Sequence, residues 1–298
     1  MIHRNLPDTF PNFLGIGASK CGTSSLYAYM RQHPDIFLSH VKETHFFTYD
    51  EIYSLGPAAF ANEYYRGASG HRAIGDITPT YFVQPDIVIP RIKAVYGAKL
   101  PKLLLILRNP VDRAWSHYLH KVRSGEESES FESALLLEQE RLTSDPLGWW
   151  GYQTESLYAV FLAKWLDAFP REQFLFLLTE ELSSDPAAVL RRVFAFLGVD
   201  AECAIRDYGR KNIAGSVRSQ AVLSLLAKPS PLKSLVKRLL PLAHRQKLKT
   251  RIIELNTAPG GWASRMSSEQ RVLLMDRLRP GVRELERLTG LDLSVWSL

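Results

Sequence analysis

The chain has 298 residues, of which 46% are hydrophobic and 23% charged, and this composition is typical of an ordinary globular protein with room for one large α/β domain. Its two cysteines, Cys21 and Cys203, are too few for a disulfide framework and indicate a reducing compartment. The N-terminus lacks the apolar core of a signal peptide, and no apolar run approaches the roughly 20 residues of a membrane span. We therefore expect a cytoplasmic protein without an integral membrane segment.

The net charge of +6 is spread unevenly along the chain. Residues 208–253 contain eleven basic side chains and no acidic one, and subtracting these eleven charges leaves −5 on the remainder. Because no helix-turn-helix, zinc or RNP signature accompanies this stretch, an anionic nucleotide or an acidic substrate is a better candidate partner than nucleic acid. Within it, Lys233–Arg251 is predicted to form a helix pair packed on the domain. Contact with a membrane surface is less favoured because Pro241 interrupts the apolar face.

The first predicted strand covers residues 13–16 and leads through a small-residue turn into a helix that begins at Thr23. A helix N-terminus directly after a tight turn presents unpaired N–H groups and the positive end of the helix dipole, which favours phosphate. Lys20 adds a positive charge, and the hydroxyl groups of Thr23, Ser24 and Ser25 add donors.

This turn is not a Walker A loop. Gly17 and Gly22 have the spacing of that motif, but Thr23 occupies the position of its lysine, and Lys20 lies inside the turn instead. A lysine at that position can reach the bridging oxygen of a bound 5′-phosphate. The alternative is an ordinary glycine-containing turn with a solvated lysine, in which Cys21 is a small apolar filler.

A second short strand, residues 36–39, leads into the sequence Lys42-Glu-Thr-His-Phe-Phe47. Glu43 or His45 is a candidate general base, provided that it approaches a substrate hydroxyl within hydrogen-bond distance. The alternative is an ion pair between Lys42 and Glu43 above a core anchored by the two phenylalanines.

A third strand begins near Ala73 and ends at Thr78, where Pro79 forces an extended backbone. Asp76 in this strand is a candidate for orienting a lysine, for binding substrate or for capping the next turn. A helix is predicted over Pro85–Tyr96.

The most strongly predicted strand is Lys102–Arg108, whose continuous apolar run is typical of the middle of a parallel sheet. Pro110 suits the first turn of the helix that follows. Arg108 is therefore expected at the C-terminal edge of a central strand, where open α/β sheets bind ligands. Together with Ser116, two turns into the helix, it can hold a second phosphate.

The remaining elements carry weaker functional signals. In the helix after Arg108, we interpret Asp112 and Arg113 as surface charges. Trp149 and Trp150 follow on a loop, where they either line an aromatic acceptor site or fill the core. The last predicted element is a helix over residues 268–288 with a capping-box sequence at its start.

Four segments of the chain occur in the order seen in sulfotransferases that use 3′-phosphoadenosine 5′-phosphosulfate (PAPS). They are Lys20-Cys-Gly-Thr-Ser-Ser-Leu26, Lys42-Glu-Thr-His-Phe-Phe47, Ile77-Thr-Pro-Thr-Tyr-Phe82 and Leu107-Arg-Asn-Pro-Val-Asp-Arg-Ala-Trp-Ser-His-Tyr118. Over residues 12–200 the chain most resembles the branch that contains the heparan sulfate N- and 3-O-sulfotransferases and their soluble bacterial relatives.

The resemblance, together with the strand and helix pattern, implies an α/β fold with a P-loop-like central parallel sheet. We expect about four or five strands flanked by helices, and a C-terminal helical region. It also implies a single sulfotransferase domain over residues 1–298. In this domain, residues 12–200 would form the nucleotide-binding core and residues 201–298 the basic loop and the C-terminal helices.

The resemblance further assigns roles to single residues. The residues that would hold the 5′-phosphosulfate end of PAPS form the first turn: Lys20, Cys21, Gly22, Thr23, Ser24 and Ser25. Arg108 and Ser116 would hold the 3′-phosphate. Glu43 would act as the base, with His45 as the alternative, and Lys20 would stabilise charge on the departing phosphate oxygen. No metal is required, because the lysine and the helix dipole supply the positive charge.

The chain departs from the pattern of this family in two places. The glycan enzymes carry a lysine where this chain has Ile77, and Lys42 is the candidate to supply that charge. They also carry a disulfide-bounded loop near the nucleotide, whereas Cys203 has no partner close to it in the sequence.

A basic loop, Gly209–Ser219, occupies the comparable place. It is predicted to close over the 3′ side of the nucleotide, with Arg210 and Lys211 as the contacts. The alternative is a solvated basic loop without a ligand.

The predicted activity is in-line transfer of the sulfuryl group from PAPS to an acceptor hydroxyl, or amine, of a small molecule or carbohydrate. The residues assigned to the acceptor are Lys42, Asp76, Trp149 and Trp150. One alternative is a P-loop nucleotide kinase, which would need Mg²⁺ and the Walker lysine that Thr23 replaces. The other is a non-catalytic anion- or glycan-binding protein that uses the basic stretch.

Overall fold

The structure, a computed structural model, describes residues 6–145, 150–209 and 266–296, together with the backbone of residues 216–217 and 257–258. The strands in these residues are β1 (Phe13–Gly17), β2 (Ile36–Leu38), β3 (Ala73–Ile77), β4 (Lys102–Leu107), β5 (Phe174–Leu178), β6 (Ser216–Val217) and β7 (Thr257–Ala258). The helices are α1 (Thr23–Met30), α2 (Asp50–Tyr53), α3 (Gly56–Tyr64), α4 (Pro85–Tyr96), α5 (Pro110–Ser124), α6 (Phe131–Ser144), α7 (Tyr158–Ala168), α8 (Thr179–Ser184), α9 (Pro186–Leu197) and α10 (Ser268–Thr289).

Five parallel strands form the central sheet in the order β2-β3-β1-β4-β5. Every residue of β1 is buried, as are Leu103–Leu107 of β4, because helices cover both faces of the sheet. In register, Leu14 of β1 lies opposite Asp76 of β3 and Leu103 of β4. The predicted central parallel sheet is confirmed. β6 and β7 form a separate antiparallel pair.

The order of the strands reverses at β1, since the chain goes from β1 to the edge strand β2, returns to β3 beside β1, and then crosses to the other side at β4. Parallel α/β sheets bind ligands at such a reversal, outside the carboxyl ends of the strands. The turns that follow β1 and β4 are therefore adjacent, and this position brings the segments around Lys20 and Arg108 to the same edge of the sheet.

Close packing holds the sheet and its helices in place. Phe13 of β1 lies so close to Gly75 of β3 that a Cβ atom added at Gly75 would meet the Phe13 ring at 2.0 Å, which leaves room only for glycine. Beside the sheet, the Phe46 ring stacks on Phe60 with 4.1 Å between the ring centroids. Both rings are buried, so the segment that contains Glu43 ends in the core, as its two phenylalanines predicted.

The C-terminal helix α10 packs against α7 and α5. It begins with the predicted capping box, in which Ser267 and Gln270 exchange side-chain to main-chain hydrogen bonds, and it ends at Gly290, whose φ is +70°. After it, the chain turns back to the sheet and buries Trp296.

Some of the predictions lie outside the described residues: the contacts of Arg210 and Lys211, the position of Trp149, and the helix pair over Lys233–Arg251. In the part of the chain that the structure describes, no helix combines the length and the apolar character needed to cross a membrane.

Candidate active site

The turn between β1 and α1 ends in a helix N-terminus without a side-chain cap. Gly22 has a φ of +91° and occupies the N-cap position, and the first turn of α1 contains no acidic residue. The amides of Ser25 and Leu26 donate to the Gly22 carbonyl. Among the described residues, no hydrogen bond uses the amides of Gly22, Thr23 or Ser24. These amides and the positive end of the helix dipole together favour an anion at this point.

Lys20 places a positive charge in the same turn. Its side chain is half-buried, and its backbone has a φ of +69°. Burial and the positive charges of Arg123, Arg113 and Arg108 lower the pKa of Lys20 to about 8, while Glu43 acts in the opposite direction. A cation held among other cations raises the positive potential of the turn, so an anionic ligand is strongly favoured there. Sequence reasoning missed the effect of the Arg123 charge on Lys20, because Arg123 lies near the end of α5, far from Lys20 in the sequence.

Arg108 contacts the Lys20 turn directly. It follows the last residue of β4, and its Nη1 atom donates to the Lys20 carbonyl oxygen at 3.4 Å. Ser116, eight residues after Arg108 in α5, is half-buried. The structure therefore brings the two predicted phosphate-binding segments together, as parallel neighbouring strands require.

Two hydroxyl groups tie the turn after β1 to the turn after β4. The Tyr158 hydroxyl donates to the Arg108 carbonyl oxygen at 3.0 Å and lies 3.4 Å from the Cys21 Sγ atom. The Thr179 Oγ1 atom lies 2.6 Å from the Cys21 carbonyl oxygen and 2.9 Å from that of Leu107. We call Tyr158 and Thr179 the turn clamp. Sequence reasoning gave neither residue a role, because a hydroxyl that contacts main-chain atoms 50 or more positions away leaves no local pattern.

Cys21 is part of this contact. Its side chain is fully buried, and burial raises the pKa of its thiol to about 11. The thiol is therefore protonated at neutral pH and fills space between the turn and Tyr158.

The turn after β4 is also held from the C-terminal side. Asn109 caps α5 by accepting hydrogen bonds from the amides of Val111 and Asp112. The main-chain amide of Asn109 donates to the Glu180 Oε1 atom at 2.9 Å, and its side-chain amide donates to the Trp296 carbonyl oxygen at 3.3 Å. The residue next to Arg108 is thus fixed by three separate parts of the chain.

The Lys42–Phe47 segment presents Glu43 at the surface. Lys42 and Glu43 form an ion pair, and the Glu43 side chain is 41% exposed. His45 instead stacks on Tyr49 with 4.7 Å between the ring centroids. Burial lowers the pKa of His45, so its ring is neutral at pH 7. The exposure of Glu43 and its electrostatic influence on Lys20 make it the better placed of the two candidate bases.

Asp76 lies below this segment rather than at the surface. It is 2% exposed, and its carboxylate accepts hydrogen bonds from the hydroxyl groups of Thr44, Thr78 and Tyr81. Among the described residues, no hydrogen bond or ion pair joins it to a lysine. This geometry supports a role in holding the protein together at this point more than contact with an acceptor.

Trp150 is half-buried between two cations. The Lys121 ammonium lies 4.5 Å from its ring centroid, and the Arg141 guanidinium lies 4.8 Å from it. Lys121 is itself buried and bonded to Glu126. This arrangement supports a packing role for Trp150 rather than a place in an open acceptor site.

Arg113 corrects the interpretation of the α5 helix. Its side chain is fully buried, not at the surface as expected. The guanidinium donates to the Glu155 Oε2 atom at 2.6 Å, to the Gly151 carbonyl oxygen at 2.7 Å and to the His117 Nδ1 atom at 3.0 Å. The expectation was wrong because α5 is covered by residues 151–155 and by α10. Asp112 pairs with Arg271 of α10.

Replacement of Arg113 by methionine should lower the free energy of unfolding by about 3–5 kcal/mol, because it leaves the buried Glu155 carboxylate without its partner. Urea denaturation followed by circular dichroism measures this change. The matched control is Arg279→Met, which removes an exposed ion pair with Asp276 and should cost less than about 1 kcal/mol. An equal effect of the two substitutions would contradict the structural role of Arg113.

Comparisons with known proteins agree with this geometry. The family model of the sulfotransferase domain matches residues 11–225. Mouse heparan sulfate glucosamine 3-O-sulfotransferase 3B1 is 37% identical over 189 residues, which cover 63% of this chain and 46% of that protein. Human heparan sulfate glucosamine 3-O-sulfotransferase 6 is 36% identical over 190 residues, which cover 64% of this chain and 53% of that protein. The chain thus spans about half the length of the curated relatives it matches.

A solved structure extends the similarity to nearly the whole chain. The crystal structure of a sulfotransferase from Alicyclobacillus acidocaldarius superimposes with a TM-score of 0.69 at 31% identity, and the match covers 96% of this chain and 98% of that one. Since the family model also covers well over half of the sequence, this chain belongs to the sulfotransferase domain family.

Proposed function

We propose that this protein transfers the sulfuryl group of PAPS to an acceptor hydroxyl, or amine, of a small molecule or carbohydrate. The observation that carries the proposal is the contact between Arg108 and the Lys20 turn at 3.4 Å. Two cationic sites that touch each other at one edge of the sheet suit a ligand with two anionic ends, such as an adenylate with 5′- and 3′-phosphates. Membership of the sulfotransferase family supports the same ligand.

In this proposal the free amides at the start of α1 hold the 5′-phosphosulfate together with the side chains of Lys20, Thr23, Ser24 and Ser25. Arg108 and Ser116 hold the 3′-phosphate, since a guanidinium can form two parallel charge-assisted hydrogen bonds with one phosphate. The contacts of Arg210 and Lys211 with the 3′ side stay predictions from the family resemblance.

The chemistry is an in-line displacement at sulfur. The acceptor oxygen forms a bond to sulfur as the bond between sulfur and the bridging phosphate oxygen breaks, and the electron pair of the broken bond stays on that oxygen. Lys20 stabilises the negative charge that develops there. Glu43 takes the proton of the acceptor hydroxyl, and Lys42 holds the Glu43 carboxylate in position through their ion pair.

The names of the mouse and human relatives, heparan sulfate glucosamine 3-O-sulfotransferases, favour a sugar hydroxyl as the acceptor. Both cysteines of the chain are free thiols, which supports a reducing compartment such as the cytoplasm. The packing of α10 on α5 and α7 supports a single unit over residues 1–298.

A transfer assay with PAPS that carries radioactive sulfur tests the function. The purified protein is incubated with pools of sugars, phenols, alcohols and peptides in a buffer with a metal chelator, and labelled products are separated. We expect label on an acceptor. In a parallel incubation with ATP and Mg²⁺ and without PAPS or the chelator, phosphorylation of an acceptor would favour the kinase alternative. Tight binding of adenosine 3′,5′-bisphosphate without any transfer would favour the binding-protein alternative.

Substitution of Arg108 by alanine should weaken the binding of adenosine 3′,5′-bisphosphate by roughly 10- to 100-fold, because a charge-assisted contact with the 3′-phosphate is lost. Isothermal titration calorimetry measures the affinity. Adenosine 5′-monophosphate, which lacks the 3′-phosphate, is the matched control ligand, and its affinity should not change. If the variant binds the bisphosphate as tightly as the wild type, the assignment of the 3′-phosphate to Arg108 is wrong.

A further inference from the structure

The backbone around Thr44 has an unusual conformation. Glu43 has a φ of +64° and His45 a φ of +56°, so residues on both sides of Thr44 adopt the left-handed region. Residues with a side chain adopt this region only at an energetic cost, and they keep it where the surrounding structure holds them there. The segment belongs to no helix or strand, since it lies between β2 and α2. The Thr48 and Tyr49 amides donate to the His45 carbonyl oxygen, and side-chain contacts hold the residues before it.

Asp76 supplies two of these contacts, beside those of Thr80 with His45 and of Arg91 with the Phe47 and Thr48 carbonyl oxygens. The buried Thr44 hydroxyl donates to the Asp76 Oδ2 atom at 2.9 Å. The Tyr81 hydroxyl donates to the same oxygen at 2.6 Å and accepts a hydrogen bond from the Phe47 amide at 3.3 Å. One carboxylate thus fixes Thr44 directly and Phe47 through Tyr81.

Asp76 is itself in a rigid position. It lies in β3 opposite Leu14 of β1, and β1 leads directly into the Lys20 turn. The Asp76 Oδ1 atom accepts a third hydrogen bond, from the Thr78 hydroxyl at 2.9 Å. Burial raises the pKa of Asp76, and hydrogen bonds from the three hydroxyl groups and from the Thr44 main chain oppose that rise by stabilising the ionised form. The buried Asp76 carboxylate therefore connects the segment that carries Glu43 to β3, which lies beside the strand that leads to Lys20.

We propose that Asp76 is a positioning residue for the transfer reaction, which acts through Thr44 and Tyr81 to hold Glu43 in its left-handed conformation and to direct its carboxylate toward the Lys20 turn. The inference rests on the proposed function, in which Glu43 accepts the acceptor proton. A base displaced by about 1 Å loses much of its effect, whereas a nucleotide bound at the other side of the site is unaffected. Loss of the contact should therefore lower kcat without weakening the binding of the nucleotide.

Three substitutions isolate this contact. Thr44→Val removes the hydroxyl that reaches Asp76, and Thr44→Ser keeps it. Thr78→Val removes a different hydroxyl donor to the same carboxylate without touching the Lys42–Phe47 segment. We expect Thr44→Val to lower kcat by roughly 10- to 100-fold, with unchanged affinity for adenosine 3′,5′-bisphosphate, while Thr44→Ser retains most of the wild-type rate. Thr78→Val should resemble Thr44→Ser.

Hydrogen exchange of residues 42–49, measured by mass spectrometry, gives a readout that does not require turnover. Exchange in this segment should be faster in Thr44→Val than in the wild type and in Thr44→Ser. Equal kcat values and equal exchange in all variants would overturn the proposal, as would a loss of kcat in Thr78→Val as large as that in Thr44→Val. If the wild type transfers no sulfuryl group, the proposed function has failed and with it the role of Glu43. The exchange rates then still decide whether Asp76 holds the segment.

Discussion

Replacement of Lys20 by methionine is expected to lower kcat by about 100- to 1,000-fold while the protein stays folded. The ammonium group is the charge of the β1–α1 turn closest to the bridging phosphate oxygen in the proposed reaction, and negative charge develops on that oxygen only as the bond to sulfur breaks. The substitution keeps the length and the packing of the side chain. Steady-state turnover measures the loss, and Lys99→Met, at an exposed position before β4, is the matched control.

The depressed pKa of Lys20 gives the same prediction a second readout. With a pKa of about 8, Lys20 is mostly protonated at pH 7 and loses its charge as the pH rises. The affinity of the wild type for adenosine 3′,5′-bisphosphate should therefore fall between about pH 7 and pH 9, whereas Lys20→Met should lack this component. If the affinities of the wild type and of Lys20→Met change with pH in the same way, Lys20 does not contact the phosphate.

Substitution of Glu43 by glutamine should reduce kcat by about 100- to 10,000-fold, because an amide cannot take the proton of the acceptor hydroxyl. The affinity for adenosine 3′,5′-bisphosphate should not fall, since the proposed reaction uses Glu43 on the acceptor and not on the nucleotide. Glu51→Gln on the exposed start of α2 provides the matched control. An undiminished rate in Glu43→Gln would move the base to His45, and His45→Gln would then be expected to abolish turnover.

The parts of the site that follow strands were predictable from the sequence. The turn with Lys20 and the strand end at Arg108 carry local signals: an apolar run typical of a buried strand, followed by the start of a helical pattern. Because strands in a parallel sheet point the same way, two such signals also predict that the segments meet at one edge. The contact of Arg108 with the Lys20 carbonyl oxygen follows from this rule.

Arg113, Asp76 and Tyr158 could not be assigned in the same way. Each is a polar residue whose partner lies on another element, as with Arg113 and Glu155, which are 42 positions apart. Arg113 was expected at the surface because a charged residue in a helix usually lies there, and the sequence does not show which elements cover that helix. The left-handed backbone of Glu43 and His45 likewise left no trace in the sequence, since neither residue is a glycine or an asparagine.

The turn clamp lies in a later part of the sequence than the segments that resemble the family. All of the residues that we assign to the nucleotide within the described part of the chain precede residue 117, whereas Tyr158 begins α7 and Thr179 begins α8. A polypeptide that stopped after α6 would keep the four segments that resemble PAPS-dependent sulfotransferases, yet it would lose both hydroxyl groups that bridge the turns after β1 and β4. The presence of those four segments alone therefore does not establish that the two turns are held together as they are in this structure.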